Sequence, residues 1–288
     1  MTPTAGVPTR GAILAITSGK GGVGKTSLTV NVAASLARSG HRVGVLDADL
    51  GLGNVDVMLG LTPGSHLGDV LGGEKSLADV TVRTPDGVRV IPAGSGIRAL
   101  TALSEAQRAR LGAVVDEAVA DLDFLLVDTA PGVSDNVIDL AGLSDRVMVV
   151  TSYEPTAIVD AYAVIKLLTT AAPGREVGVV VNAARDADQG ELVFRQLSAA
   201  ATRFLGVKLR YYGFIIRDTA VGEAVLEQRP VVARMPDAPA SRCFRRLALR
   251  VANWGRRPTT PTPAPAVRRP LTPFSPEDFE RLEAPRCA

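Results

Sequence analysis

Short apolar runs rich in β-branched and aliphatic residues recur along the chain at 12–17 (AILAIT), 42–47 (RVGVLD), 88–93 (VRVIPA), 124–128 (FLLVD), 146–152 (RVMVVTS), 177–182 (VGVVVN) and 211–216 (YYGFII). Runs this short and this continuously apolar suit strands buried on both faces. Between them, 26–38, 104–120, 134–143, 155–170, 189–205, 219–228 and 241–253 carry helical patterning, several opened by Ser, Asp or an early proline. Strands alternating with helices predict an α/β fold, a doubly wound and mostly parallel sheet flanked by helices. Ligands in such folds sit beyond the carboxyl ends of the strands.

The pattern stops at Trp254 and Gly255. Eight of the 19 prolines fall in the last 33 residues, and "RRPTTPTPAPAVRRPLTP" predicts an extended linker without a packed core. The expected organisation is a short flexible N-terminus at 1–10, one α/β domain at 11–255 and a disordered tail at 256–288. Within the tail, Ser275, Pro276, Phe279 and Leu282 leave two readings open, a short docking helix over 275–284 or one frayed turn.

Composition narrows the function. No apolar run approaches the length of a membrane span and the N-terminus lacks a signal pattern, so a cytoplasmic protein is expected. Two cysteines, Cys243 and Cys287, form no CxxC pair, which argues against a metal-cluster carrier. The net charge of +2 resides in the tail, where six arginines face four acids, leaving residues 1–255 formally neutral. Attraction to DNA or anionic lipid must therefore come from a local patch.

The chemistry begins at "ITSGKGGVGKTS" (16–27). Gly19, Gly24, Lys25 and Thr26 satisfy G-x-x-x-x-G-K-[ST] between an apolar strand and a helix, the context in which that pattern denotes a phosphate loop. Gly19, Gly21, Gly22 and Gly24 let backbone N–H groups close around phosphate, with Lys20, Val23 and Ser27 also on the loop. Lys25 neutralises β/γ oxygens and Thr26 reaches Mg²⁺. Asp128 ends a buried strand, a good place to hold a metal ion through water. Asp47 and Asp49 end another, two residues apart and so facing one way; one can order the Mg²⁺ shell while the other orients the attacking water. Lys20 is a second cation on a loop that Lys25 already serves. It has most to gain where charge spreads during phosphoryl transfer, although geometry alone does not say whose nucleotide it reaches.

The "KGGVGKT" spacing resembles the deviant Walker A motif of the MinD/ParA family, and the similarity covers about residues 10–255. It implies a P-loop NTPase of the SIMIBI class, an ATPase that is slow and partner-stimulated, with ATP and Mg²⁺ as ligands and an ATP-bound homodimer as the closed state. On that resemblance Lys20 crosses to the other subunit's phosphates, Asp47 and Asp49 form the Walker A′ pair, and Asp128 is Walker B. The roles it implies are Lys20, Lys25 and Asp49 in catalysis, Thr26, Asp47 and Asp128 at the metal, and Asn182 reading the adenine edge, since "VVVNAARD" lacks a guanine-reading N-K-x-D.

"DADLGLGNVDVMLGL" and the stretch from Arg203 to Ala248 are similar to the MinD-like FlhG/FleN flagellar-number branch. That branch implies control of the number or placement of a polar structure, most often flagella, through a transcriptional activator or a basal-body component, with recruitment to a pole, membrane or nucleoid. The residues before the first strand carry no motif for stimulating an SRP-type GTPase, and the acidic candidate helix at 275–284 is poorly suited to anionic membrane. The competing reading is a ParA-type partitioning ATPase that binds DNA nonspecifically through Arg242, Arg245, Arg246 and Arg250. The same stretch, 241–254, also reads as the closing helix of the domain, with Phe244, Leu247, Ala248, Val251 and Trp254 on its apolar side.

Overall fold

The computed structural model describes residues 10–94 and 103–254. The expectations for the N-terminal residues 1–9 and for the tail beyond Trp254, the 275–284 helix included, lie outside these residues.

Eight strands form one sheet: β1 (Ala12–Thr17), β2 (Val43–Ala48), β3 (Val82–Arg83), β4 (Arg89–Ile91), β5 (Phe124–Thr129), β6 (Arg146–Thr151), β7 (Val177–Ala184) and β8 (Arg210–Ile216). Their order is β3-β4-β2-β5-β1-β6-β7-β8, parallel except for the β3–β4 pair at one edge. The helices are α1 (Lys25–Arg38), α2 (Val55–Met58), α3 (Leu67–Gly72), α4 (Leu77–Val80), α5 (Glu105–Val119), α6 (Asp135–Leu143), α7 (Pro155–Ala171), α8 (Ala187–Leu205), α9 (Thr219–Leu226), α10 (Val231–Arg234) and α11 (Pro239–Trp254).

Alternation within the strands builds a core on each face of the sheet, one cluster on the first and two on the second. Leu14 and Ile16, Val43 and Val45, Phe124 and Leu126, and Met148 and Val150 pack with α1, α10 and α11. Their neighbours in sequence, Ile13, Leu46, Leu125 and Val127, face α3, α4 and α5, while Ala15, Val147 and Val149 face α6, α7 and α8. Because the side-chain period is two, Asp47 and Asp128 fall on the α1 face. The register sets them directly opposite one another across β2 and β5. β1 lies between β5 and β6 at the centre of the sheet, and the chain leaves its carboxyl end into α1. That is where a doubly wound sheet takes its ligand.

Each long strand and helix expected from the sequence is present within two residues or so at its ends. The short helices α2, α3, α4 and α10 and the strand β3 are additions. None spans enough residues to show a full amphipathic period. The stretch 241–254 is the closing helix: Phe244, Leu247, Ala248 and Val251 are buried, and Arg242, Arg246 and Arg250 are exposed. No helix of the described residues is long and apolar enough to cross a membrane.

Candidate active site at the phosphate loop

The loop after β1 is shaped by two close approaches. A Cβ on Gly19 would lie 2.1 Å from the Asp160 carbonyl on α7, so the loop can only pack there without a side chain. Gly24 adopts φ +92°, and a Cβ would lie 2.2 Å from the Asn182 amide nitrogen. Gly24 is also the residue preceding α1, and no side chain caps that helix. Its first N–H groups, with the positive end of the helix dipole, are left for an anion. Ser27 Oγ is buried in the same turn without a hydrogen-bond partner, a further polar group that a phosphate oxygen would satisfy.

Lys25 is buried, 7% exposed, and its burial lowers the ammonium pKa, with Asp128 and Asp49 pulling the other way. Thr26 Oγ1 donates to Asp128 Oδ2 at 2.6 Å and Thr29 Oγ1 donates to Asp128 Oδ1 at 2.9 Å. Burial pushes the Asp128 carboxyl up to about 6 against those hydroxyls and Lys25. Asp47 is pushed up to about 8, by burial first and by Asp128 beside it second. Two buried carboxylates facing one another across adjacent strands are short of positive charge. A divalent cation fits that deficit, and the residues that would hold it are Thr26 and Asp128, with Asp47 through water. Among the described residues no group of three or more acids, histidines or cysteines is placed to hold a metal ion by itself. Mg²⁺ at nucleotide sites ordinarily takes one or two carboxylates plus phosphate oxygens, so this is the donor set expected for it.

Asp47 also does something the sequence did not disclose. Its Oδ1 accepts from the N–H of Asp49 at 3.1 Å and its Oδ2 from the N–H of Val55 at 3.1 Å, so it organises the loop that carries Asp49. Asp49 is only partly buried and accepts from the N–H of Leu52 at 3.2 Å. It lies close enough to Lys25 and Asp128 to influence both.

Lys20 and Lys25 face different surroundings. Lys20 Nζ donates to Glu154 Oε2 at 2.7 Å and to Thr156 Oγ1 at 3.2 Å, at the N-terminus of α7 and in the solvent. Asn182 donates from Nδ2 to the Val23 carbonyl at 2.7 Å, tying β7 to the phosphate loop. Half of the Asn182 amide is thus engaged in holding the loop. Beside it lies an open cavity of about 290 Å³, bounded by Lys20 to Val23, Ser152 to Glu154, Asn182, Ala183 and Arg217.

The structure therefore gathers the loop residues with Thr26, Asp47, Asp49, Asp128 and Asn182 at one end of the sheet. It adds Thr29, Glu154, Thr156 and Arg217. Thr29 was within reach of sequence reasoning, being three residues from Thr26 on one helix face. Glu154, Thr156 and Arg217 lie just beyond strands β6 and β8 and carry no local signal.

A ParA family profile, described as a NUBPL iron-transfer P-loop NTPase, matches residues 10–252. The chain belongs to the ParA/MinD family of P-loop NTPases. It is 44% identical to the antiactivator FleN of Pseudomonas aeruginosa over 84% of this chain and 86% of that one. It is 34% identical to the flagellum site-determining protein YlxH of Helicobacter pylori over 75% of this chain and 73% of that one. These two relatives support the FlhG/FleN-like branch of the family. Its fold is similar to that of the cell division ATPase MinD of Pyrococcus furiosus, with a TM-score of 0.73 at 27% identity over 85% of this chain and 99% of that one. The MinD of Pyrococcus horikoshii, solved with Mg-ADP, gives 0.71 at 25% identity over 83% and 95%. The protein is accordingly a P-loop ATPase that uses ATP and Mg²⁺. Cys243, on α11, is the one cysteine among the described residues.

Two residues of the stretch from Arg203 to Ala248 hold neighbouring elements in place. Asp218 caps α9 through the Ala220 N–H and accepts from the Ala240 N–H at the start of α11, both at 3.0 Å. Gln228, at φ +54°, donates to the Val57 carbonyl at 3.0 Å.

Proposed function

We propose that this ATPase is a dimerising switch that sets the number or placement of flagella. Two copies close across their phosphate loops in the ATP-bound state, and hydrolysis reopens them. In each site Lys25, the loop N–H groups and the start of α1 bind the phosphates, Asp49 orients the attacking water, and Lys20 of the other copy meets the charge that spreads as the γ-phosphoryl leaves. Asn182 presents Oδ1 to the adenine edge. Mg²⁺, when bound, neutralises β- and γ-phosphate oxygens. The partner that reads the closed state must bind it more tightly than the open one, since only differential affinity couples the two.

The observation that carries the reading is the division of labour between two lysines on one loop. Lys25 is buried in the loop, whereas Lys20 stands at its surface, 39% exposed, where a second molecule can meet it. The flagellar output is supported by the two flagellar relatives, and a relative named an antiactivator supports a transcriptional activator as the partner. The test is to replace the gene with its Asp49→Ala form in the cell that encodes it and to count flagella beside a deletion strain. Opposite changes in number, from a switch held closed and a switch removed, are expected. Normal flagellation in both strains overturns the reading.

A further inference from the structure

The amino ends of β6, β7 and β8, at the opposite end of the sheet from the phosphate loop, meet the last turn of α11 in a pocket of about 310 Å³. Its walls include Arg146, Arg210 and Arg250, with Tyr212 and Trp254 between them. Glu176 supplies the carboxylate. It accepts from Arg210 at 2.8 Å, Arg146 at 3.2 Å and the Tyr212 hydroxyl at 2.7 Å. Arg250 donates to the Tyr212 backbone carbonyl, and no described carboxylate lies within ion-pair distance of it. Arg146 also stacks over the Trp254 ring at 5.1 Å, and Trp254 lies 4.1 Å from the Tyr212 ring. Three guanidinium groups against one carboxylate make an open, aromatic-floored site with excess positive charge, suited to a carboxylate-bearing segment with an apolar side chain or two.

The same chain carries such a segment, attached at the pocket itself. Beyond Trp254 the sequence runs through residues 255–273 to "FSPEDFERLEA" at 274–284, which holds Glu277, Asp278, Glu280 and Glu283 against Arg281, together with Phe274 and Phe279. The intervening 19 residues bear Arg256, Arg257, Arg268 and Arg269 and no acid, so the pocket repels the connection and attracts the acidic stretch at its far end. A connection of that length spans about 60 Å if fully extended in polyproline II form, enough to leave the surface and return. Tethering at the pocket's own wall also holds the segment at an effective concentration of order millimolar.

We propose that the acidic segment 274–284 docks into the Arg146–Arg210–Arg250 pocket of its own chain, with its carboxylates on the arginines and a phenylalanine ring against Trp254. The docked segment covers the arginines of this end of the domain and excludes polyanions from them, while the phosphate loop at the other end stays free.

Trp254 is the chain's single tryptophan, so its fluorescence reports the pocket directly. The experiment is acrylamide quenching of the full-length protein beside the variant Glu277→Gln, Asp278→Asn, Glu280→Gln, Glu283→Gln, which leaves residues 10–254 unaltered. Docking predicts a quenching constant about twofold higher in the variant, and a matching rise in the wild type at high salt that the variant does not show. Arg250→Gln in the otherwise natural chain should reproduce the rise. Equal constants in both proteins at low salt overturn the proposal. Shielding that fades as the protein is diluted overturns it too, since the segment would then belong to a second copy.

Discussion

Lys20 Nζ rests 2.7 Å from Glu154 Oε2 at the head of α7. The ammonium sits against the positive end of a helix dipole, an arrangement that the Glu154 carboxylate offsets. Both partners are solvent-exposed, and an exposed pair of this kind contributes about 1 kcal/mol at most. Lys20 is therefore restrained loosely, and a nucleotide phosphate presented by another copy can recruit it. Glu154→Gln should lower the protein concentration needed for ATP-dependent dimerisation by up to about fivefold. Nucleotide affinity of the single chain should change little. Light scattering across a dilution series with ATP makes the comparison, and a weaker dimer would show that Glu154 assists closure instead of delaying it.

Asp49 is anchored by its backbone to Asp47 and leaves its carboxylate partly exposed beside Lys25 and Asp128. A residue that orients water contributes to the rate and little to binding, so Asp49→Ala should lower kcat by about 10²-fold or more while ATP binding persists. Single-turnover hydrolysis and equilibrium binding of ATP, measured side by side, separate the two. Loss of binding in step with rate would assign Asp49 to the architecture of the site.

Thr29 holds Asp128 from the helix side with the hydroxyl 2.9 Å away, in a fully buried contact. Thr29→Val keeps the shape and removes the donor, leaving a buried carboxylate oxygen unpaired. The expected cost is about 1–3 kcal/mol of stability in the ligand-free protein. Urea unfolding reads this directly. An unchanged midpoint would mean that Asp128 finds another donor.

Glu176 gives a pH dependence far from the nucleotide. Burial alone would raise its pKa, but the Tyr212 hydroxyl, Arg210 and Arg146 together hold it below the ordinary carboxylate value. A depressed carboxylate contributes stability above its unfolded pKa, near 4.3, and loses that contribution as pH falls through the lower folded value. The group is partly exposed, so the contribution is about 1 kcal/mol after solvent screening. Between pH 5 and pH 3 the wild type should lose about that much more stability than Glu176→Gln, as read from urea midpoints at each pH. Parallel decline in the two proteins would contradict the assignment.

How much of the site is legible in the sequence depends on range. The G-x-x-x-x-G-K-[ST] loop and the aspartates at the ends of β2 and β5 are written within a few consecutive residues, and period-two alternation is enough to set Asp47 and Asp128 on the α1 face. Glu154 meets Lys20 across 134 positions of sequence, and Asn182 meets Val23 across 159. No local pattern encodes such pairings, because they arise only when β1, β6 and β7 become neighbours in the sheet. Asp47 shows an intermediate case. Its residue type and place are readable, but its hold on the Asp49 and Val55 N–H groups depends on a loop conformation that sequence spacing leaves open.

The central claim, that Lys20 serves the other copy's nucleotide while Asp49 serves its own, is tested most directly by mixing Lys20→Ala with Asp49→Ala. Each variant alone has two defective sites. In a mixed dimer the Lys20→Ala copy keeps its own Asp49 and receives Lys20 from its partner, so one site of two is complete. Equal amounts should then restore ATP hydrolysis to about a quarter of the wild-type rate, half of the dimers being mixed and one site in each being whole. A rate no higher than the average of the two variants measured separately, although an affinity tag on one recovers the other in the presence of ATP, would contradict the account and return Lys20 to its own nucleotide.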